Sequence, residues 1–354
     1  MPETRVAFAG AGYIASRHVE ALSHFEDVAV IGIADPVGER AERLAVRCEA
    51  EACSSLDELL ERSDPDALYI CVPPFAHGEP EAKAIERGLP IFVEKPLSLG
   101  VATAREINDA VATQRVVTAV GYHWRYLDVV SRARDLLQER PVRMALAHWL
   151  TSTPGSPWWI QQALSGGQIL EQATHLVDLA RYLVGEVLEV QARGSSIRRD
   201  RFLESDIFDT SVATLQFDTG ALGVLASTFL LNASHRIGLH LIAEELSLEI
   251  LARGPGGTAP FELVIDRGDG IRVETDATDP FLLENRDFID AVQGKENRIR
   301  VPYEEALKSH EVAAAAALAT LQSGGRAGSP PLQPSEEGLG PTQSSLNRDL
   351  RKAP

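Results

Sequence analysis

Several short stretches of this 354-residue chain carry residue types that could do chemistry. Gly10-Ala11-Gly12-Tyr13-Ile14-Ala15 is a G-x-G-x-x-A turn between an apolar run and an amphipathic one. In such a turn Gly10 permits the tight bend, Gly12 lets backbone approach a diphosphate, and Ala15 lets a helix pack closely on its strand, with the anion at the helix N-terminus. Glycines are common in turns, so the motif draws its meaning from context. Asp35 closes the next apolar run, where a carboxylate can accept hydrogen bonds from the ribose hydroxyls of an adenosine; it could equally cap the following helix. A carboxylate there repels a 2′-phosphate and favours NAD over NADP, although Arg40, a turn onward, could tolerate the phosphate.

Glu94-Lys95-Pro96 ends a later apolar run. A partly desolvated lysine beside a cofactor can exchange protons with a substrate hydroxyl. The alternative is a lysine paired with Glu94 on a loop. Further on, Gly166-Gly167 precedes Glu171 and His175. At about 100° per residue, Ala173, Leu176, Val177, Ala180, Leu183 and Val184 form one apolar arc of a helix, with Glu171, His175 and Asp178 opposite. That polar face points either at water or at a cleft. Tyr122-His123-Trp124-Arg125-Tyr126 and Pro157-Trp158-Trp159 add aromatic rings beside polar groups, which suit the C–H faces of a sugar or cyclitol; either indole could instead be buried packing. The histidines show no metal-ligand spacing and Cys48-x4-Cys53 lacks a second pair, so no metal is expected.

These residues need elements to hold them. Val6–Ala9, Val28–Ala34, Ala67–Val72, Ile91–Glu94 and Val116–Ala119 read as strands. Ile14–Leu22, Glu39–Cys48, Leu56–Glu61, His77–Arg87 and Val101–Ala112 read as helices. Ser55 with Glu58 has capping-box spacing, and Ser98 precedes the last helix. Alternating strands and helices with short links predict a doubly wound parallel sheet over residues 1–121.

From residue 122 the rhythm changes to period-two alternation, with Val142, Met144 and Leu146 on one face and Ile237, Leu239 and Leu241 on another. Further strands are expected at Val187–Arg193, Val212–Phe217, Ala221–Phe229, Leu246–Leu251, Phe261–Ile265 and Ile271–Glu274. Asp218-Thr219-Gly220 and Arg267-Gly268-Asp269-Gly270 suit hairpin turns. The expectation over 122–322 is an α+β domain with a largely antiparallel, open-faced sheet. Helices at Phe281–Val292 and Tyr303–Leu321 follow, the latter capped by Gly324. Residues 323–354, rich in Gly, Pro and Ser, read as a flexible tail.

Composition bounds the function. Lys+Arg 34 against Asp+Glu 51 gives a net charge of −17, which repels a polyphosphate backbone or an anionic membrane, so neither nucleic acid nor membrane is an expected partner. The longest apolar stretch, Val312–Ala319, is far short of the ~20 residues a span needs. The N-terminus resembles no signal peptide, and three cysteines in a chain of this length suit a reducing cytoplasm.

Gly10–Ala15, Asp35, the run Val72-Pro73-Pro74-Phe75-Ala76-His77, Glu94-Lys95-Pro96 and Gly166-Gly167…Glu171…His175, taken in order, resemble the Gfo/Idh/MocA oxidoreductase family, which includes glucose–fructose oxidoreductase and inositol dehydrogenase. The resemblance runs from about residue 4 to 322. It implies that Lys95 lies beside the nicotinamide and helps bind substrate and relay protons, and that Pro73 and Pro74 line the dinucleotide. It also implies that His175 is the catalytic histidine and that Arg125 matches an arginine common at this point. Glu171 stands where the family usually has Asp.

The resulting expectation is an NAD(P)-dependent dehydrogenase or reductase, with NAD the preferred cofactor, acting on a secondary alcohol or carbonyl of a sugar, cyclitol or related polyol. Lys95 and His175 would be catalytic, and Glu171, Arg125, Trp158 and Tyr122 substrate-binding. Gly10, Gly12, Tyr13, Ile14, Asp35, Arg40, Pro73, Pro74, His77, Glu94 and Lys95 would hold the cofactor. The resemblance also implies a homodimer or homotetramer formed through the C-terminal sheet. The rivals are a reductase of a non-sugar carbonyl or dihydrodiol and a non-catalytic NAD(P)-sensing regulator; possession of both Lys95 and His175 favours an enzyme.

Overall fold

A computed structural model describes residues 3–196, 204–276 and 278–323. The first half alternates β1 (Thr4–Ala9), α1 (Tyr13–Leu22), β2 (Val28–Ala34), α2 (Gly38–Cys48), β3 (Glu51–Cys53), α3 (Leu56–Arg62), β4 (Ala67–Ile70), α4 (Glu79–Glu86), β5 (Ile91–Val93), α5 (Val101–Gln114) and β6 (Thr118–Val120). The six strands form one sheet in the order β3-β2-β1-β4-β5-β6, with every pairing parallel. Its central strands are buried on both faces because helices cover both. The strand order reverses between β1 and β4, and ligands of open α/β sheets bind in the crevice outside the carboxyl ends at such a point.

Three expectations are corrected here. β3 has only three residues, too few for the Glu-Ala-Cys stretch to show a pattern. Helix α4 starts at Glu79, because Gly78 at φ +110° breaks the chain after His77. Gly100, not Ser98, caps α5; the Ser98 hydroxyl instead donates to the Gly100 carbonyl. Ser55 caps α3 as its spacing predicts, accepting from Glu58 N–H at 3.2 Å.

The second half holds α6 (Asp128–Leu137), β7 (Met144–Leu150), α7 (Gln162–Ser165), α8 (Gln168–Glu171), α9 (Thr174–Val184), β8 (Val187–Ser195), β9 (Thr210–Phe217), β10 (Leu222–Thr228), β11 (Arg236–Ala243), β12 (Leu246–Ala252), β13 (Phe261–Asp266), β14 (Ile271–Asp276), α10 (Pro280–Val292) and α11 (Tyr303–Ser323). Its eight-stranded sheet, in the order β14-β13-β12-β11-β7-β10-β9-β8, is antiparallel except for the β7–β10 pair. Both predicted hairpin turns form, with Gly220, Gly268 and Gly270 at positive φ. One sheet face buries Ala145, Ala147, Trp149, Ile237, Leu239 and Leu241 against α9. The other leaves Met144, Val212, Leu222 and Val224 exposed. Val142 lies before β7 and is buried, so it does not share the outer face with Met144.

Helix α11 returns to the first sheet, where Tyr303 N–H donates to Thr118 Oγ1 at 3.0 Å and Glu311 accepts from Arg105 at 2.7 Å. Gly324 and the tail from 324 onward lie outside the described residues. Among the described residues no helix is long and apolar enough to cross a membrane.

Candidate active site

A cleft of about 1930 Å³ runs from the carboxyl edge of the first sheet to the mouth of the second. At its nucleotide end, Gly10 has φ +97°, and a Cβ there would stand 2.3 Å from the Cys71 carbonyl oxygen, so only glycine fits. Gly12 is different: a Cβ on it would meet no atom of the described residues within 4 Å. The space above the first turn of α1 is therefore open at the point where unsatisfied helix N–H groups favour an anion. Asp35 is buried at the end of β2, its Oδ2 accepting from Ala11 N–H at 2.9 Å and its Oδ1 from Val37 N–H at 2.8 Å. Each oxygen keeps a lone pair for a further donor. Tyr13, Ile14, Arg40, Pro73 and Pro74 line the same end. The open cradle over Gly12 and the buried carboxylate fit a dinucleotide.

At the other end Lys95 reaches across from the first sheet. Its ammonium donates to the Glu171 carbonyl at 3.0 Å and to Glu171 Oε1 at 3.3 Å. Glu171 Oε2 accepts from the Trp159 indole. The glutamate thus spans the lysine and the indole with one carboxylate, a use for the methylene that an aspartate lacks. Glu94 borders the cleft, but its carboxylate turns inward: Oε1 meets His18 at 3.0 Å and Oε2 accepts from Lys95 N–H at 3.1 Å.

His175 borders the cleft from α9. Glu171 closes the separate helix α8, with a break at Gln172-Ala173, so the single helix expected through both residues does not form. The expected polar face of α9 is also not solvated: His175 and Asp178 are both buried. Trp124 and Trp149 lie nearly parallel to the His175 ring at 6.1 and 6.0 Å, and His123 crosses it edge-on at 4.9 Å. Burial, then the charges of Lys95 and His123, hold the His175 imidazole well below its usual pKa. His175 is therefore neutral at physiological pH, and its Nδ1 has no partner among the described residues. His123 is likewise pushed down to about 4, chiefly by burial.

Three expected site residues lie elsewhere. Tyr122 is fully buried, its hydroxyl against Thr174 Oγ1 at 2.8 Å. Arg125 grips Asp178 through Nε and Nη2 at 2.8 and 2.6 Å and meets Glu305 at 3.1 Å, a buried ion pair bracing α9 and α11. Burial opposes the Arg125 charge, but these carboxylates outweigh it and raise its pKa. His77 is buried against Glu81 at 2.6 Å, outside the cleft lining. Trp158 does border the cleft, as does Trp159, whose ring is otherwise packed on Phe229.

The aromatic string 122–126 offered His123 and Trp124 for the cleft, and both line it; sequence reasoning missed Trp149. Trp149 sits in an ordinary β-strand and gave no signal. The loops 151–158 and 253–259 extend the cleft past His175 with Ser, Thr, Gly and Pro.

Residues 4–122 match the family described as oxidoreductase family, NAD-binding Rossmann fold, and residues 133–250 match the GFO/IDH/MocA C-terminal domain. The chain is 31% identical to the uncharacterized oxidoreductase YrbE of Bacillus subtilis over 61% of its own length, spanning 64% of that protein. It is 27% identical to the scyllo-inositol 2-dehydrogenase (NAD(+)) of B. subtilis, over 70% of this chain and 74% of the relative. It is 30% identical to the dTDP-3,4-didehydro-2,6-dideoxy-alpha-D-glucose 3-reductase of Streptomyces violaceoruber, over 75% and 78%. The WlbA dehydrogenase of Bordetella pertussis, solved with NADH and UDP-GlcNAcA, shares the fold with a TM-score of 0.77 at 20% identity, covering 90% of this chain and 97% of that one. Family matches over both sheets, and a relative covered for most of its length, place this chain in the GFO/IDH/MocA family of oxidoreductases, with its first sheet as the NAD-binding Rossmann fold.

Proposed function

We propose that the protein is an NAD-dependent dehydrogenase or reductase acting on a secondary alcohol or the corresponding carbonyl of a sugar, cyclitol or related polyol. The observation that carries this reading is the convergence of the Lys95 ammonium, the Glu171 carboxylate and the neutral His175 imidazole on a cleft continuous with the Gly10–Gly12 turn. The bound nicotinamide supplies hydride acceptance or donation; the chain supplies placement and proton handling. Neutral His175 takes the proton of the reacting hydroxyl, Lys95 holds that oxygen, and Glu171 holds both the lysine and a neighbouring hydroxyl. With Glu171 as counter-ion to Lys95, an uncharged polyol suits this end better than an anion. The inositol and deoxysugar substrates in the relatives' names support the same class.

Asp35 favours NAD, and Arg40, exposed on the cleft wall, leaves room for NADP. The exposed apolar residues Met144, Val212, Leu222 and Val224 support pairing of C-terminal sheets between copies as a homodimer or homotetramer. The division at 121/122, a cytoplasmic location and the roles of the individual residues belong to the same proposal. Titration with NADH and NADPH tests the nucleotide site, and failure of both to bind sinks the reading. A panel of inositols, aldoses and their keto forms, followed at the nicotinamide absorbance, identifies the substrate; turnover confined to a non-sugar carbonyl would favour the rival reductase.

A further inference from the structure

Behind Lys95 lies a buried polar network that the proposed chemistry leaves unused. His18 lies on α1, the helix whose first turn faces the nucleotide end. Its ring is fully buried, in contact with Phe92 at 4.7 Å, Phe281 at 5.4 Å and Tyr69 at 5.5 Å. Asn285 on α10 faces its Nδ1. The Asn285 amide nitrogen donates to the Phe281 carbonyl at 2.7 Å and lies 2.9 Å from His18 Nδ1, with the amide oxygen at 3.2 Å. A carboxylate oxygen only accepts, so on the other side of the ring Nε2–H donates to Glu94 Oε1 at 3.0 Å. The other oxygen of Glu94 accepts from the Lys95 backbone N–H at 3.1 Å.

Gly121 makes room for Glu94: a Cβ there would come within 2.3 Å of the carboxylate Oε1. Glu284 on α10 completes the cluster, its carboxylate within 4.8 Å of the ligand atoms of His18 and Glu94. Both its oxygens are buried without a partner among the described residues, and burial followed by the Glu94 charge raises its pKa well above its usual value. Two carboxylates this close do not both ionise in a buried site, so Glu284 stays protonated.

We propose that His18 is a positioning residue for Lys95: through Glu94 it ties the nucleotide-facing helix α1 and helix α10 of the second half to the backbone of the lysine that faces Glu171. The importance of that placement rests on the reading of Lys95 as the group at the reacting oxygen. His18 touches neither cleft nor cofactor, and it acts by keeping the Glu94 carboxylate oriented. Without the imidazole N–H, a buried carboxylate oxygen loses its donor, and Glu94 rotates to find another. The Lys95 N–H then loses its acceptor and the ammonium loses its fixed approach to Glu171.

The test reads Lys95 itself and needs no substrate. The full-length protein is treated with acetic N-hydroxysuccinimide ester, and acetylation of the Lys95 peptide is timed by mass spectrometry, with NADH affinity measured by fluorescence on the same samples. In His18→Phe, which keeps the ring packing, Lys95 acetylation should accelerate about fivefold, the equivalent of one lost hydrogen bond. NADH affinity should stay within about threefold, because the phosphate cradle is untouched. His18→Gln, whose amide can still donate to Glu94, should restore the slow rate. If His18→Phe does not fold, Glu94→Gln serves instead: its amide opposes the imidazole N–H while keeping the side-chain volume, and the same acceleration is expected. Unchanged acetylation in a folded His18→Phe or Glu94→Gln protein, or equal acceleration in His18→Gln, overturns the proposal. Loss of NADH binding by the wild-type protein would instead overturn the enzymatic reading, while the acetylation rates would still decide the placement of Lys95.

Discussion

The two ends of the cleft are built by different means. The nucleotide end is made of consecutive backbone: the turn after β1, the Asp35–Val37 bend after β2 and the Val72–Pro74 segment after β4 meet because adjacent parallel strands end side by side. The substrate end is made of side chains from distant segments; Lys95 and Glu171 are 76 residues apart when they meet. Gly10 and Gly12 work by lacking atoms, whereas Lys95, Glu171 and His175 work through tips held by Trp159, Trp124, Trp149 and His123. A backbone site tolerates change in its surroundings; a side-chain site depends on each supporting contact.

The sharpest break of that contrast is Lys95→Ala. Turnover should fall by about 10²–10⁴, as for loss of a group in proton transfer, with NADH affinity unchanged within about threefold. Steady-state rates on the substrate found in the panel, beside a fluorescence titration, check both halves. Full activity in that variant would remove Lys95 from the chemistry.

Arg125→Leu tests whether this arginine braces the fold or binds substrate. Removing it leaves Asp178 buried without its bidentate partner, which should cost about 3–5 kcal/mol in urea unfolding. A variant of normal stability and raised KM would return Arg125 to the substrate site.

Gly12→Val addresses the nucleotide end. Its side chain enters space that no atom of the described residues occupies, so the melting temperature should hold while NADH affinity drops about tenfold or more. Equal loss of stability and affinity would make the glycine a folding requirement, as Gly10 is.

The smallest expected effect is an absence of change with pH. Because burial and the Lys95 charge lower the His175 pKa, its proton-accepting neutral form persists below pH 6.5, the ordinary imidazole value. The oxidation rate should stay level as pH falls from 8 through about 6.5 and decline only well below it. A break at or above 6.5 would show an imidazole in an ordinary environment and contradict the buried placement.

Much of the nucleotide end was legible in the sequence because its signals are local. A glycine pair after a β-branched run, an acid at the end of the next run and alternating periods each reflect forces within about twenty residues. The substrate end was legible in residue type and only partly in role. Tyr122 and Arg125 looked like cleft residues because aromatic rings and a guanidinium are equally suited to ligand and core; Asp178, 53 positions from Arg125, decided the matter. Helix periodicity put His175 on a polar face but could not reveal that the face is roofed by Trp124 and Trp149.

The sequence by itself determined the two sheets and the glycine turn after the first strand, and it singled out Lys95, Glu171 and His175 as candidates, because pattern and motif are carried by neighbouring residues. Only the tertiary structure decided which charges are neutralised, which rings are walls and which are core, and that His18 and Asn285 stand behind Lys95. Those outcomes depend on burial and on partners brought from far along the chain, and hydrogen bonding and desolvation are fixed only when those partners meet.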